Sequence, residues 1–182
     1  MRLFIAVIPS PEAQAAAHAA GARLRHAGDG VSWVKSENLH YTLRFLGEVG
    51  EDGARRAGEA AHAAAARHSP FEASLGALGA FPDAARARVI WAGLSEGAEP
   101  LRALARSLDQ ALQARGFGHE ERPFTPHLTL GRVRAGGDWT AQLAAAATPE
   151  ARFRIERIVL VQSTLSPGGS RYDERAVAPL SL

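Results

Sequence analysis

The chain has 182 residues, 46% of them hydrophobic and 22% charged, which is ordinary for a soluble globular protein with one sizeable core. Its net charge of +2 is too small to hold nucleic acid non-specifically at physiological salt, although every basic residue but Lys35 is an arginine. The absence of cysteine excludes disulfides, thiolate metal sites and cysteine nucleophiles.

Leu3 to Ile8 is apolar on both faces and is expected as an interior strand. The run Arg2 to Pro9 is too short for a signal peptide or a membrane span, and the chain reads as cytoplasmic. Ser10-Pro11 opens a helix, with Ser10 as N-cap, that runs to about His26 and stops at Gly28-Asp29-Gly30. Val31 to Lys35 is a short extended piece and Ser36-Glu37-Asn38 a turn. Leu39 to Leu46 alternates as a strand, with His40, Thr42 and Arg44 on one face and Tyr41, Leu43 and Phe45 on the other. An alanine-rich helix follows, from about Asp52 to His68.

Phe71 to Phe81 reads as a strand with a bulge near Gly76 and Gly79, and Val89 to Leu94 as its hairpin partner. Glu99-Pro100 opens a third helix, whose buried stripe is Leu101, Leu104, Leu108 and Leu112. A charged loop leads to the strand Thr125 to Val133. A short helix spans about Asp138 to Ala147, a long strand Phe153 to Leu165, and a last strand Tyr172 to Leu180. His18, His26, His62, His68 and His119 read as solvated or half-exposed surface residues.

Two of these strands carry the same pattern. His40-Tyr41-Thr42-Leu43 recurs 87 residues later as His127-Leu128-Thr129-Leu130. Given 7 histidines in the chain, about 0.02 His-x-Thr-Leu matches are expected by chance, so two copies point to function. Residues i and i+2 of a strand share a face, roughly 6.5–7 Å apart, so each copy sets an imidazole beside a hydroxyl. Each copy follows a helix, which suggests two pseudo-equivalent lobes that share one cleft. Two imidazoles across a cleft can act as general base and general acid, with hydroxyls and an arginine holding the oxygens of a phosphate. That chemistry suits cleavage of a phosphodiester and needs no metal. A metal hydrolase is the first alternative, but neither histidine has Asp or Glu at ligand spacing. A non-catalytic RNA-end-binding module is the second.

The paired motifs in a chain of this length resemble the 2H phosphoesterase superfamily. With Phe4-Ile5-Ala6-Val7, Asn38-Leu39-His40-Tyr41-Thr42-Leu43-Arg44-Phe45-Leu46-Gly47 and Pro123-Phe124-Thr125-Pro126-His127-Leu128-Thr129-Leu130, the chain is similar to the RNA 2′,3′-cyclic phosphodiesterases, also called 2′-5′ RNA ligases. The resemblance covers nearly the whole chain. It implies an α+β fold of two pseudo-symmetric lobes, with antiparallel sheets lining a central cleft and helices outside. It implies one bilobal domain over residues 1–182, a monomer, with no cofactor, no metal and no membrane partner. The implied reaction turns a terminal 2′,3′-cyclic phosphate of RNA into a 2′-phosphate; other cyclic phosphates and 2′-5′ oligonucleotides are alternative substrates. Reverse joining of tRNA halves through a 2′-5′ bond comes with the same resemblance. His40 would protonate the leaving 3′ oxygen, His127 would activate water, and Thr42 and Thr129 would bind phosphate. Arg132 is a further phosphate ligand by resemblance, although its strand parity opposes His127 unless Gly131 marks a bulge. Arg44 is the second candidate, because it has the parity of His40.

Overall fold

The computed structural model describes residues 1–182 and has a mixed α/β architecture: one curled antiparallel sheet of nine strands with four α-helices. The strands are β1 (Arg2–Val7), β2 (Val31–Trp33), β3 (Tyr41–Glu48), β4 (Phe71–Phe81), β5 (Ala87–Glu96), β6 (Leu128–Gly137), β7 (Arg152–Ile155), β8 (Arg157–Ser166) and β9 (Gly169–Pro179). The helices are α1 (Pro11–Leu24), α2 (Glu51–Ala65), α3 (Ala98–Gln113) and α4 (Thr140–Ala145). The sheet order is β7-β4-β5-β6-β3-β1-β8-β9, with β2 added on β6.

Patterning explains most of this. β1 is apolar on both sides because both are covered. Leu3, Ile5 and Val7 join the main core, while Phe4 and Ala6 meet Val159, Val161 and Tyr172 on the opposite face. Ser10 caps α1, its hydroxyl accepting from the Ala13 amide at 3.2 Å, and Pro11 is the first helical residue. Leu101, Leu104, Leu108 and Leu112 of α3 are all buried. The alanines of α2 let that helix lie close to β8 and β9. Helices α1, α2 and α3 therefore pack on one face, through a single core of 36 buried residues. The opposite face bears the two motifs and a small second apolar cluster of Phe4, Ala6, Val159 and Val161.

The expected antiparallel β-structure with helices outside is present. The halves are hydrogen-bonded into one sheet, but the two motif strands share a single register pair, Tyr41 with Leu128. The expected strand from Phe153 to Leu165 divides at Glu156. Its first part pairs with β4 at one end of the sheet, and the rest pairs with β1 and β9 at the other. No Gly, Pro, Asn or Asp interrupts Phe153 to Leu165, so no turn signal in the sequence marked the crossing. The hairpin of β4 and β5 is present, with a register shift between Leu75 and Leu78. A Cβ at Gly76 would stand 2.7 Å from the Leu94 carbonyl carbon, which explains a glycine there.

Candidate active site

The site is built at the Tyr41–Leu128 pair. His40 and His127 immediately precede β3 and β6, and Tyr41 and Leu128 anchor both segments in the core at 0% exposure. Continuing the register one residue each way sets His40 across from Thr129 and Thr42 across from His127. The imidazoles thus occupy one diagonal of a four-residue patch, and the hydroxyls the other. Diagonal positions on neighbouring strands lie about 7–8 Å apart, room for one phosphate.

The two imidazoles are held alike. His40 Nδ1 lies 2.7 Å from the carbonyl oxygen of Asn38, and His127 Nδ1 lies 2.7 Å from that of Thr125. A carbonyl only accepts, so each Nδ1 carries the proton and each Nε2 is left for chemistry. His40 Nε2 is 2.9 Å from Thr42 Oγ1, so the neutral ring accepts from that hydroxyl. His40 stacks on Phe4 at 4.7 Å and meets Tyr172 edge-on at 5.3 Å, and His127 meets Phe81 edge-on at 5.0 Å. Alternation alone did not single out these three aromatics or the two carbonyls.

Both imidazoles titrate below the ordinary histidine value. Burial is the largest cause, and the carbonyl bonded to Nδ1 opposes it in part. The positive charge of Arg132 lowers both further, and His127 itself lowers His40. Arg132 therefore stands close enough to act on both rings.

The structure separates the two candidate arginines. Thr129 pairs with Trp91 and Gly131 with Ile90, so β6 carries an extra residue at Leu130 and Arg132 pairs with Val89. The bulge returns Arg132 to the face of Thr129, as the glycine at 131 had suggested. β3 carries the same irregularity one residue past its threonine: Thr42 pairs with Ala6 and Arg44 with Ile5, which skips Leu43. Here the bulge sends Arg44 to the core face and brings Phe45 to the cleft, 55% exposed beside Phe4. Simple alternation misplaced Arg44 for that reason. Its guanidinium bonds Asp109 of α3 and the Gly118 carbonyl. His119 shares Asp109 at 2.6 Å, and His68 bonds Ser107 at 2.8 Å, so these two are tied down rather than merely solvated. No three histidine, aspartate or glutamate side chains converge in metal-binding geometry. No helix is long and apolar enough to cross a membrane.

Proteins of similar sequence and fold are known. The sequence profile of the 2′-5′ RNA ligase superfamily matches residues 9–166. The chain is 36% identical over 158 residues to the RNA 2′,3′-cyclic phosphodiesterase of Methanothermobacter thermautotrophicus, covering 85% of each chain. It is 33% identical over 173 residues to the one from Thermotoga maritima, covering 94% of this chain and 91% of that one. Among solved structures it superposes on TT0787 of Thermus thermophilus with a TM-score of 0.82 at 29% identity, over 99% of this chain and 98% of the other. It superposes on Escherichia coli LigT in complex with 3′-AMP with a TM-score of 0.81 at 25% identity, over 100% of this chain and 98% of that one. On its paired motifs, its fold and these matches, the chain belongs to the 2′-5′ RNA ligase superfamily.

Proposed function

We propose that the protein hydrolyses the terminal 2′,3′-cyclic phosphate of RNA to a 2′-phosphate. The observation that carries this reading is the matched pair of imidazoles flanking the Tyr41–Leu128 pair, each with its Nδ1–H on the carbonyl two residues earlier, which leaves Nε2 for the reaction. The names of the relatives support the substrate. His127 Nε2 takes a proton from water, and the water oxygen forms a bond to phosphorus. The bond from phosphorus to the 3′ oxygen breaks, and that oxygen takes its proton from His40 Nε2. Thr42, Thr129 and Arg132 hold the non-bridging oxygens and stabilise the charge that builds on them.

The same reading makes the working unit a cytoplasmic monomer, residues 1–182 one domain, and tRNA halves one source of RNA ends. Arg44, tied to Asp109, serves the frame rather than the phosphate. Incubation with an RNA ending in 2′,3′-cyclic phosphate, in EDTA throughout, should yield a 2′-phosphate at full rate. A 3′-phosphate product would reverse the assigned leaving group. Tight binding of the RNA end without turnover would favour a binding module. A loss in EDTA that added metal restores would favour a metal hydroxide mechanism.

A further inference from the structure

Trp91 lies on the cleft face of β5, across from Thr129 on one side and Gly79 on the other. A Cβ at Gly79 would stand 2.4 Å from two indole atoms, and a Cβ at Gly93 would stand 3.4 Å from another. The two glycines thus leave the space in which the half-buried indole lies down against the sheet instead of standing up from it. Phe81 packs beside it at 5.1 Å and also touches His127. An aromatic floor therefore runs outward from His127, over β4 and β5.

Cations edge this floor. Thirteen of the twenty arginines bridge to carboxylates; Arg88, Arg132 and Arg134 are among the seven that do not, and these three lie on the neighbouring strands β5 and β6. All three are exposed. Arg88 adjoins Val89, the residue paired with Arg132. Arg134 follows Arg132 by one strand repeat, ~6.5–7 Å, with the buried Val133 between them. Neighbouring phosphates of an extended RNA strand are similarly spaced. The nearby Asp83 is engaged by Arg86, and Asp138 by the Thr140 amide. An aromatic platform flanked by free cations is the physical arrangement that holds single-stranded nucleic acid.

We propose that Trp91, Arg88 and Arg134 form a second nucleotide subsite, for single-stranded RNA, on the His127 side of the bound phosphate. This rests on His127 being the base in the reaction described above. The attacking oxygen arrives from that side, so the subsite serves the molecule that supplies it. A 5′-terminal nucleoside stacked on Trp91 puts its 5′-hydroxyl in the place of water, with its 3′-phosphate towards Arg134 and Arg88. The 5′ oxygen then bonds to phosphorus and gives its proton to His127. The bond from phosphorus to the 3′ oxygen of the first strand breaks, and that oxygen takes the proton of His40. The products are a 2′-5′ phosphodiester and a free 3′-hydroxyl. Hydrolysis and joining thus compete at one phosphorus, and occupancy of the Trp91 subsite sets their ratio.

The test mixes an RNA ending in 2′,3′-cyclic phosphate with a short 5′-hydroxyl oligoribonucleotide and measures joined against hydrolysed product. Binding of the 5′-hydroxyl oligonucleotide alone is followed by fluorescence anisotropy at two salt concentrations. Trp91→Leu, and separately Arg88→Ala with Arg134→Ala, should lower the ratio and the binding by roughly 5- to 100-fold, the range of a lost base stack. Trp91→Phe should keep both, because the platform survives. Hydrolysis without oligonucleotide should stay within about twofold of wild type, since each change leaves the base, the acid and the phosphate ligands Thr42, Thr129 and Arg132 in the protein. The arginine variant should also show a shallower salt dependence. Wild-type protein that hydrolyses the cyclic phosphate but neither binds nor joins the oligonucleotide overturns the subsite and leaves the phosphodiesterase reading intact. A folded Trp91→Leu variant equally impaired in hydrolysis alone also overturns it, because Trp91 would then hold the cyclic-phosphate strand itself. Binding that depends on Trp91 and Arg134 in a protein without hydrolytic activity keeps the subsite and removes the phosphodiesterase reading.

Discussion

An imidazole whose Nδ1–H is tied to a backbone carbonyl keeps its other nitrogen on target, and both motif histidines are tied in this way. His40→Ala and His127→Ala should each lower turnover by about 10²- to 10⁴-fold, the usual share of a general acid or base. Circular dichroism should be unchanged; near wild-type turnover in either variant would remove that residue from the mechanism. Thr42→Val and Thr129→Val keep the branched shape and lose one hydrogen bond to a charged group, worth roughly 1.5–3 kcal/mol, or about 10- to 150-fold in rate. Full activity in both would make the threonines structural. The lowered titration of both rings also has a sign. Free protein holds both neutral at neutral pH, so the state with one proton between them is richest below pH 6.5, the ordinary histidine value. The anionic phosphate offsets Arg132 and favours the charged form. The kcat/KM profile should therefore be a bell lying to the acid side of the kcat profile. Arg132→Gln should move the kcat/KM bell to higher pH while lowering its height. A profile that stays in place would mean that Arg132 does not act on the imidazoles. Tyr41 makes a different case: its hydroxyl is fully buried without a partner, and burial pushes its titration up. Tyr41→Phe should leave stability unchanged or raise it by about 1–3 kcal/mol in urea unfolding, because a desolvated polar group is removed.

At the scale of the element, two matched bulges decide which residue five places after each histidine reaches the site. In β6 it is Arg132, and in β3 it is Phe45. Gly131 is what the β6 bulge requires. A Cβ there would stand 2.6 Å from Val31 Cγ1 and 2.9 Å from the Trp33 ring. Gly131→Ala should cost about 1–3 kcal/mol of stability by overpacking, and it should lower turnover further by displacing Arg132. An active variant of wild-type stability would show that β2 yields freely. The same bulges mark where the sequence stopped being readable. The His-x-Thr pairs, the capped α1 and the leucine stripe of α3 are local patterns with a fixed period, and they stand where alternation and helical spacing place them. The opposite fates of Arg44 and Arg132 hang on one extra residue in each strand. Only the glycine at 131 signalled one of these, and nothing in Leu43 signalled the other.

Across the whole molecule, the order of helices and strands was legible, but the joining of the halves was not, since register and the crossing at Glu156 are long-range facts. One thermodynamic consequence is global. The two motif histidines are held neutral in the folded protein, whereas the unfolded chain protonates them at the ordinary value of 6.5. Their burial therefore costs nothing above that pH. Stability falls as pH drops through 6.5 towards the lower folded values, and the loss is complete below them. Urea midpoints of His127→Gln should fall less steeply with acid than those of wild type; parallel curves would place the acid sensitivity elsewhere. The single Tyr41–Leu128 pair has a mechanical consequence as well. It makes a seam in an otherwise well-laced sheet, with the acid on one flank and the base on the other. The backbone at Glu156 runs across that seam as a tether between opposite ends of the sheet. Flexing about the seam changes the reach between the two imidazoles, and a misplacement of about 1 Å is worth on the order of 10²-fold in rate. Two glycines inserted beside Glu156 should slacken the tether and slow turnover, though they touch no reacting group and leave each half's circular dichroism intact. Unchanged turnover would mean that the common core alone sets the gap across which the proton pair works.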